Sequence, residues 1–264
     1  MSEKNYAGKF SEEKNMNDSE TKNYMLLACA VFERECRFCA ERSGSSVDLK
    51  IIDQGLHDVG EQKMSSALQD EIDAVDCDKY DAILLAYGLC NNGIRGLRSK
   101  LPLVVPRAHD CITLLMGSKE EYKKHFNDNP GTFYLSVGWV ENAKSHFDNP
   151  QSTTSGMGLS VYSEYVEKYG RENADYLMRT MGDWLQHYSK LAYIDTHVPG
   201  SGEYSEQERA VAVERGWEFE KIDGNVDLIM RMLNGLWDAE DFLVVPPGET
   251  IHPCHDESII KSVE

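Results

Sequence analysis

The chain has no apolar run near the roughly 20 residues that a helix needs to cross a bilayer. Its opening stretch, MSEKNYAGKFSEEKNMNDSETKN, has no apolar core of the secretory-signal kind. These polar, weakly patterned residues predict a flexible tail over 1–23 and a cytoplasmic protein with no membrane contact. Basic residues are scarce: 27 Lys and Arg face 45 Asp and Glu, a net charge of −18 at pH 7. So negative a chain lacks a broad electrostatic hold on nucleic acid or on an anionic membrane. Nucleotide signatures are missing as well. No GxGxxG follows the first strand-like run, and Gly200–Glu203 (GSGE) has no phosphate-loop lysine, so it reads as a turn. Cys36-x-x-Cys39 has no second CxxC to complete a zinc site.

What the chain does have is alternation. At 264 residues it can bury a sizeable core. Short apolar runs at 24–32, 47–53, 81–88, 101–106, 132–139, 191–195, 217–222 and 241–246 read as strands. Most are near-continuous, the pattern of strands covered on both faces. Helical patterns at 33–42, 61–75, 118–126, 159–189, 205–215 and 225–237 lie between and around them. One opens with Ser118-x-x-Glu121, a capping box. The order predicts an α/β fold with a mainly parallel sheet and helices on both faces, Rossmann-like. The domain spans 24–264. Asp148–Gly158 (DNPQSTTSGMG) reads as a linker between two candidate lobes, 24–147 and 159–264.

In open parallel sheets, ligands bind beyond the carboxyl ends of the strands, so the residues just past each strand are informative. Cys29 lies at the first such end and Asp53 and His57 at the second. Tyr87 and Cys90 come after the third strand, Trp139 and Glu141 after the fifth. Asp195 and His197 come after the sixth, Asp223 after the seventh, and PGETIHPCHD (Pro247–Asp256) after the last. The densest cluster is PRAHDCITLLMGS after the fourth, where Arg107, His109, Asp110 and Cys111 crowd together.

Cys29, Cys90 and Cys111 come from three loops and could hold a metal with one position open. Cys90, Cys111 and His109 form an alternative zinc set. Three thiolates could also hold an iron–sulfur cluster with one iron left for substrate. Thiolates favour zinc, copper(I) or iron–sulfur over magnesium or calcium. The competing reading makes Cys29 and Cys90 buried packing residues. Asp110 suits an N-cap, which puts Cys111 at a helix start, where the dipole favours thiolate. Arg107 would reinforce that or grip an anionic substrate. His109 could serve as acid or base, as ligand, or as a structural histidine. Tyr134 and Trp139 are candidates for contact with a cofactor, or for core packing. His252–His255 (HPCH) could complete a metal site by ligand type.

The segments ACAVFERE, YGLCNNGIRGL, LPLVVPRAHDCITLLMGS, PGTFYLSVGW and VVPPGETI resemble a family of uncharacterised prokaryotic proteins known only as a domain of unknown function, common in methanogens and anaerobic bacteria. The resemblance covers most of Tyr24–Glu264. It carries over Cys29, Cys90, Arg107, His109, Asp110, Cys111, Gly117, Tyr134 and Trp139. It implies an association with corrinoid-linked methyl transfer, and no defined reaction. Corrinoid-dependent thiol methyltransferases hold zinc by His-x-Cys and a distant Cys. His109-x-Cys111 with Cys90 or Cys254 offers the same ligand types, although those enzymes are barrels and this strand order is not.

The resulting expectation is a metal-binding enzyme. Cys29, Cys90 and Cys111 hold zinc or an iron–sulfur cluster, and Arg107, His109 and Asp110 act on a small anionic or thiol substrate. Tyr134 and Trp139 face a cofactor, a corrinoid by the resemblance, and a corrinoid protein is the implied partner. Two alternatives stand beside it. One is a metal-free enzyme with Cys111 as nucleophile. The other is a non-enzymatic accessory protein that binds a corrinoid or tetrapyrrole.

Overall fold

The computed structural model describes residues 21–58, 60–145, 169–171, 173 and 187–264. The expected linker at 148–158, most of the expected helix at 159–189 and the tail up to residue 20 lie outside the described residues.

The described strands are β1 (Asn23–Cys29), β2 (Ser46–Ile52), β3 (Ala82–Ala86), β4 (Leu103–Pro106), β5 (Thr132–Ser136), β6 (Lys190–Asp195), β7 (Glu218–Asp223), β8 (Phe242–Val245), β9 (Thr250–Pro253) and β10 (Ile260–Val263). The helices are α1 (Glu33–Ala40), α2 (Glu61–Asp73), α3 (Cys111–Met116), α4 (Lys119–Asp128), α5 (Val137–Ser145), α6 (Ser205–Glu214) and α7 (Asp227–Leu233). The protein is a mixed α/β fold. Its larger sheet has the order β2-β1-β3-β4-β8, parallel except for β8, which runs antiparallel to β4. A second sheet, β5-β6-β7, is wholly parallel, and β9 and β10 form an antiparallel ribbon.

Central position explains the continuous apolar runs. Leu26 and Leu27 in β1, Leu84 and Leu85 in β3, and Val104 and Val105 in β4 have no exposed surface. At the edge of the sheet, β2 alternates exposed and half-buried residues instead. Strand membership crosses the boundary between the two candidate lobes: β5 joins β6 and β7, and β8 returns to the larger sheet.

From β1 the chain moves outward to β2, then crosses back to β3. The direction of winding therefore reverses between β1 and β3, a topological switch point of the kind that opens a crevice at the strand ends. The carboxyl ends of the second sheet close against the same region. Gly138, in the first turn of α5, permits this: a Cβ there would lie 2.0 Å from the Val31 carbonyl oxygen, just past β1. This contact also corrects the strand expected at 132–139. It ends at Ser136, and Val137 to Trp139 already belong to α5.

Candidate functional site

The loops after β3 and β4 are laced together by main chain. Leu89 N–H donates to the Ala108 carbonyl at 2.8 Å, and Cys90 N–H to the His109 carbonyl at 2.9 Å. Gly88 allows the approach, since a Cβ there would sit 2.7 Å from the Asp110 main chain. Beyond it, Cys90, Asn91 and Asn92 all have left-handed φ values, 44°, 54° and 67°. Such backbone costs an L-residue roughly 1–2 kcal/mol, and asparagine tolerates it better than cysteine does. The pairing with His109 and a Gly93 N–H to Cys90 carbonyl bond of 3.0 Å hold Cys90 in it.

Cys29 is 1% exposed and Cys111 6%, and Cys90 is half-buried. Burial pushes the Cys29 thiol up to about 11, and raises those of Cys90 and Cys111 as well. Cys111 also feels Cys90 and Cys29, and Cys90 feels Cys29, so the three thiols share one field. Tyr87 hydrogen-bonds Cys29 from the β3 end, and Trp139 Nε1–H donates to Cys111 Sγ at 3.3 Å. Asp110 caps α3 as expected, accepting from Ile112 N–H at 3.0 Å. The thiolate expected at Cys111 is not favoured, however. Burial and the adjacent Asp110 carboxylate outweigh the end of a helix only 6 residues long. Cys36 and Cys39 lie in α1, fully buried, as core residues.

The other motif residues are employed separately. Arg107 donates through Nε to the Ala239 carbonyl at 3.0 Å, and through Nη1 to the carbonyls of Ser258, at 2.8 Å, and Ile260. Its guanidinium therefore holds the C-terminal segment, a different employment from the expected anion anchor. His109 is exposed. Asp110 Oδ2 accepts from Tyr122 O–H at 2.9 Å, and burial raises its carboxyl above the usual range.

Tyr134 belongs to a chain that the sequence did not reveal. Its hydroxyl lies 2.7 Å from His125 Nδ1, and His125 Nε2 lies 3.2 Å from Glu220 Oε2. Burial works against ionisation of Glu220, but hydrogen bonds from Lys190 and His125 prevail and hold it below the usual carboxylate range. An ionised carboxylate only accepts. A neutral His125 therefore carries its proton on Nε2, and Tyr134 donates to Nδ1. Burial raises the Tyr134 phenol to about 12. The Tyr122 and Tyr134 rings meet edge to face at 5.6 Å, which brings this chain beside Asp110. Tyr122, His125 and Glu220 had no local signal, because their partners are 9 to 95 positions away.

A cleft of about 1060 Å³ opens over Asp110 and Tyr122. Its floor is His109, Asp110 and Thr113, one wall is α4, and the other is the Cys254–Ile259 turn between β9 and β10. Cys254 and His255 of HPCH thus face the same space as His109. Asp53 adds its field to Cys29 and Tyr87 from the end of β2. Asp195, His197 and Asp223 form a separate ionic group with Lys221 at the ends of β6 and β7. The thiols suit a soft metal in donor type. Among the described residues, no three His, Cys, Asp or Glu side chains are already set to hold an ion.

Residues 51–233 match the family model described as protein of unknown function (DUF1638). The chain belongs to the DUF1638 family. The matched span of DUF1638 includes Cys90, Arg107, His109, Asp110, Cys111, Tyr134 and Trp139, while Cys29 and the Cys254–Ile259 wall lie outside it. No curated protein and no solved structure matches the chain.

Proposed function

We propose that this DUF1638 protein binds zinc or an iron–sulfur cluster through Cys29, Cys90 and Cys111 and acts there on a small anionic or thiol substrate. One observation carries the reading. Three thiols, Cys29 at the end of β1 and Cys90 and Cys111 beyond the neighbouring strands β3 and β4, share a buried field at the switch point, and one of them sits on left-handed backbone. Strain retained in non-glycine residues points to function more than to packing. The strand order, with its β1/β3 crevice, is compatible with the Rossmann-like placement of a ligand.

When bound, the metal would supply Lewis acidity toward a thiol or an oxygen of the substrate. The chain's own residues do the rest. Trp139 orients the Cys111 sulfur, Asp110 fixes the start of α3, and Gly88 keeps Cys90 close to Cys111. The resemblance to proteins associated with corrinoid systems supports one-carbon or methyl transfer as the reaction class, with a corrinoid or a corrinoid protein as partner. Cys111 as a metal-free nucleophile is less well supported, because a nucleophilic cysteine needs thiolate character and access. Metal analysis of anaerobically purified protein tests the proposal. Near-stoichiometric zinc or iron, lost in both Cys90→Ser and Cys111→Ser, is the expected result. Only trace metal, unchanged by either substitution, sinks it.

A further inference from the structure

The cleft above Asp110 has ionic groups that are mostly spoken for. Lys119 donates to the Glu240 carbonyl at 2.6 Å, and Lys123 pairs with Glu257 at 2.8 Å across the mouth. Asp110 serves the Ile112 N–H and Tyr122, Asp256 accepts from the Ser258 N–H at 2.9 Å, and Glu120 accepts from Ser118 Oγ at 3.0 Å. The Lys124 ammonium, the Asn127 carboxamide and the imidazoles of His109 and His255 line the cleft without a hydrogen-bond or ion-pair partner among the described residues. All of these can donate to an anion, and each lining carboxylate already accepts a hydrogen bond or an ion pair. Beside them Phe126, 55% exposed, offers apolar surface.

The far wall is built rather than incidental. Ile259, which lines the cleft, has φ 63°, an outlier for a β-branched residue. Strain of this kind gathers at ligand clamps when the surroundings enforce it. The surroundings here are Arg107, which holds the carbonyls on either side of Ile259, and the Cys254 N–H to Ile259 carbonyl bond of 2.7 Å. Arg107 and His109 thereby serve the same cleft, since the first fixes its wall and the second faces that wall across the floor.

We infer that this cleft binds a small anionic molecule with an apolar or aromatic body. Its carboxylate or phosphate meets Lys124, His109 and His255, and its body rests on Phe126. The inference rests on the reading above and deepens it, since it names the molecule class that enters the cleft at Asp110, the neighbour of Cys111, but its test reads binding rather than metal.

Calorimetric titration of the intact protein with phenyl phosphate, inorganic phosphate and benzylamine provides that test. Phenyl phosphate saturates and binds more tightly than phosphate, and Lys124→Glu and His255→Ala each weaken it about tenfold, the scale of one charge-assisted bond. Lys63→Glu, at an exposed position of α2 outside the cleft, leaves it unchanged. Benzylamine binding as tightly as phenyl phosphate, no saturation by either anion, or indifference to Lys124→Glu overturns the inference. The same titration on Cys90→Ser separates the two proposals, because anion binding survives there even if the metal reading fails.

Discussion

At the scale of single residues, the site is assembled from amino acids that give up local comfort. Asn91 and Asn92 follow Cys90 in left-handed backbone, and asparagine is the side-chain-bearing type that accepts it with least penalty. Alanine has no polar group to compensate, whereas glycine has no Cβ to clash. Asn92→Ala therefore lowers the stability of the protein by about 1 kcal/mol, while Asn92→Gly stays within a few tenths. Urea unfolding of both variants checks this, and equal midpoints for the alanine variant and wild type would contradict it. The sequence displayed the residue types of this site plainly, including the thiols and the crowded Arg107–Cys111. It did not display their partners. Arg107 is engaged by carbonyls 132 to 153 positions away, and a carbonyl carries no side-chain signature. Likewise nothing near Cys111 announced that burial would keep its thiol protonated.

At the scale of elements, legibility followed apolar continuity. The expected strands at 47–53 and 191–195 match β2 and β6 to within one residue at each end, since their borders are marked by polar or turn residues. The run at 132–139 overshot because Val137 and Trp139 continue the apolar pattern into α5, where Gly138 must pack on Val31. The β9–β10 ribbon escaped altogether. Each strand has only four residues, polar and apolar mixed, too short for a period to register. A two-stranded ribbon is marginal by itself, so its order depends on the groups that hold it, and Arg107 is the obvious restraint. In Arg107→Ala, amides of 254–263 exchange with deuterium much faster, while those of β1 and β3 remain protected. Equal protection of the ribbon in variant and wild type would show that packing alone suffices. Because the ribbon forms a wall of the cleft, the same variant also weakens phenyl phosphate binding, although it touches no ligand.

At the scale of the whole molecule, the two sheets meet through a polar seam. Arg34 pairs with Glu141, and Asn142 Nδ2 donates to the Ala30 carbonyl at 3.2 Å. Deepest is Glu35, 1% exposed, whose Oε1 accepts from Thr196 Oγ1 at 2.7 Å, while Oε2 has no partner among the described residues. Burial raises the Glu35 carboxyl above its ordinary 4.5, with the Thr196 hydrogen bond and Arg34 opposing and Glu141 adding to the rise. The sign of its effect on stability follows from linkage. A raised folded value means that the native state holds this proton more tightly than the unfolded chain. Its stabilising contribution is therefore complete below 4.5 and is lost as pH climbs through the folded value. Other carboxylates act in the opposite sense: Glu220 and Asp238 are held below their ordinary values, so acid weakens their contributions. The raw pH profile mixes both kinds, and the difference between wild type and Glu35→Gln isolates one. Urea midpoints of the two proteins, compared from neutral pH downward, show wild type gaining on the variant as the medium approaches 4.5. Curves that run parallel over that range would mean that Glu35 binds its proton equally in the native and unfolded chain, as a carboxyl solvated by an opening seam does. Amide exchange at Thr196 and Glu35 checks for that opening, because it exposes both.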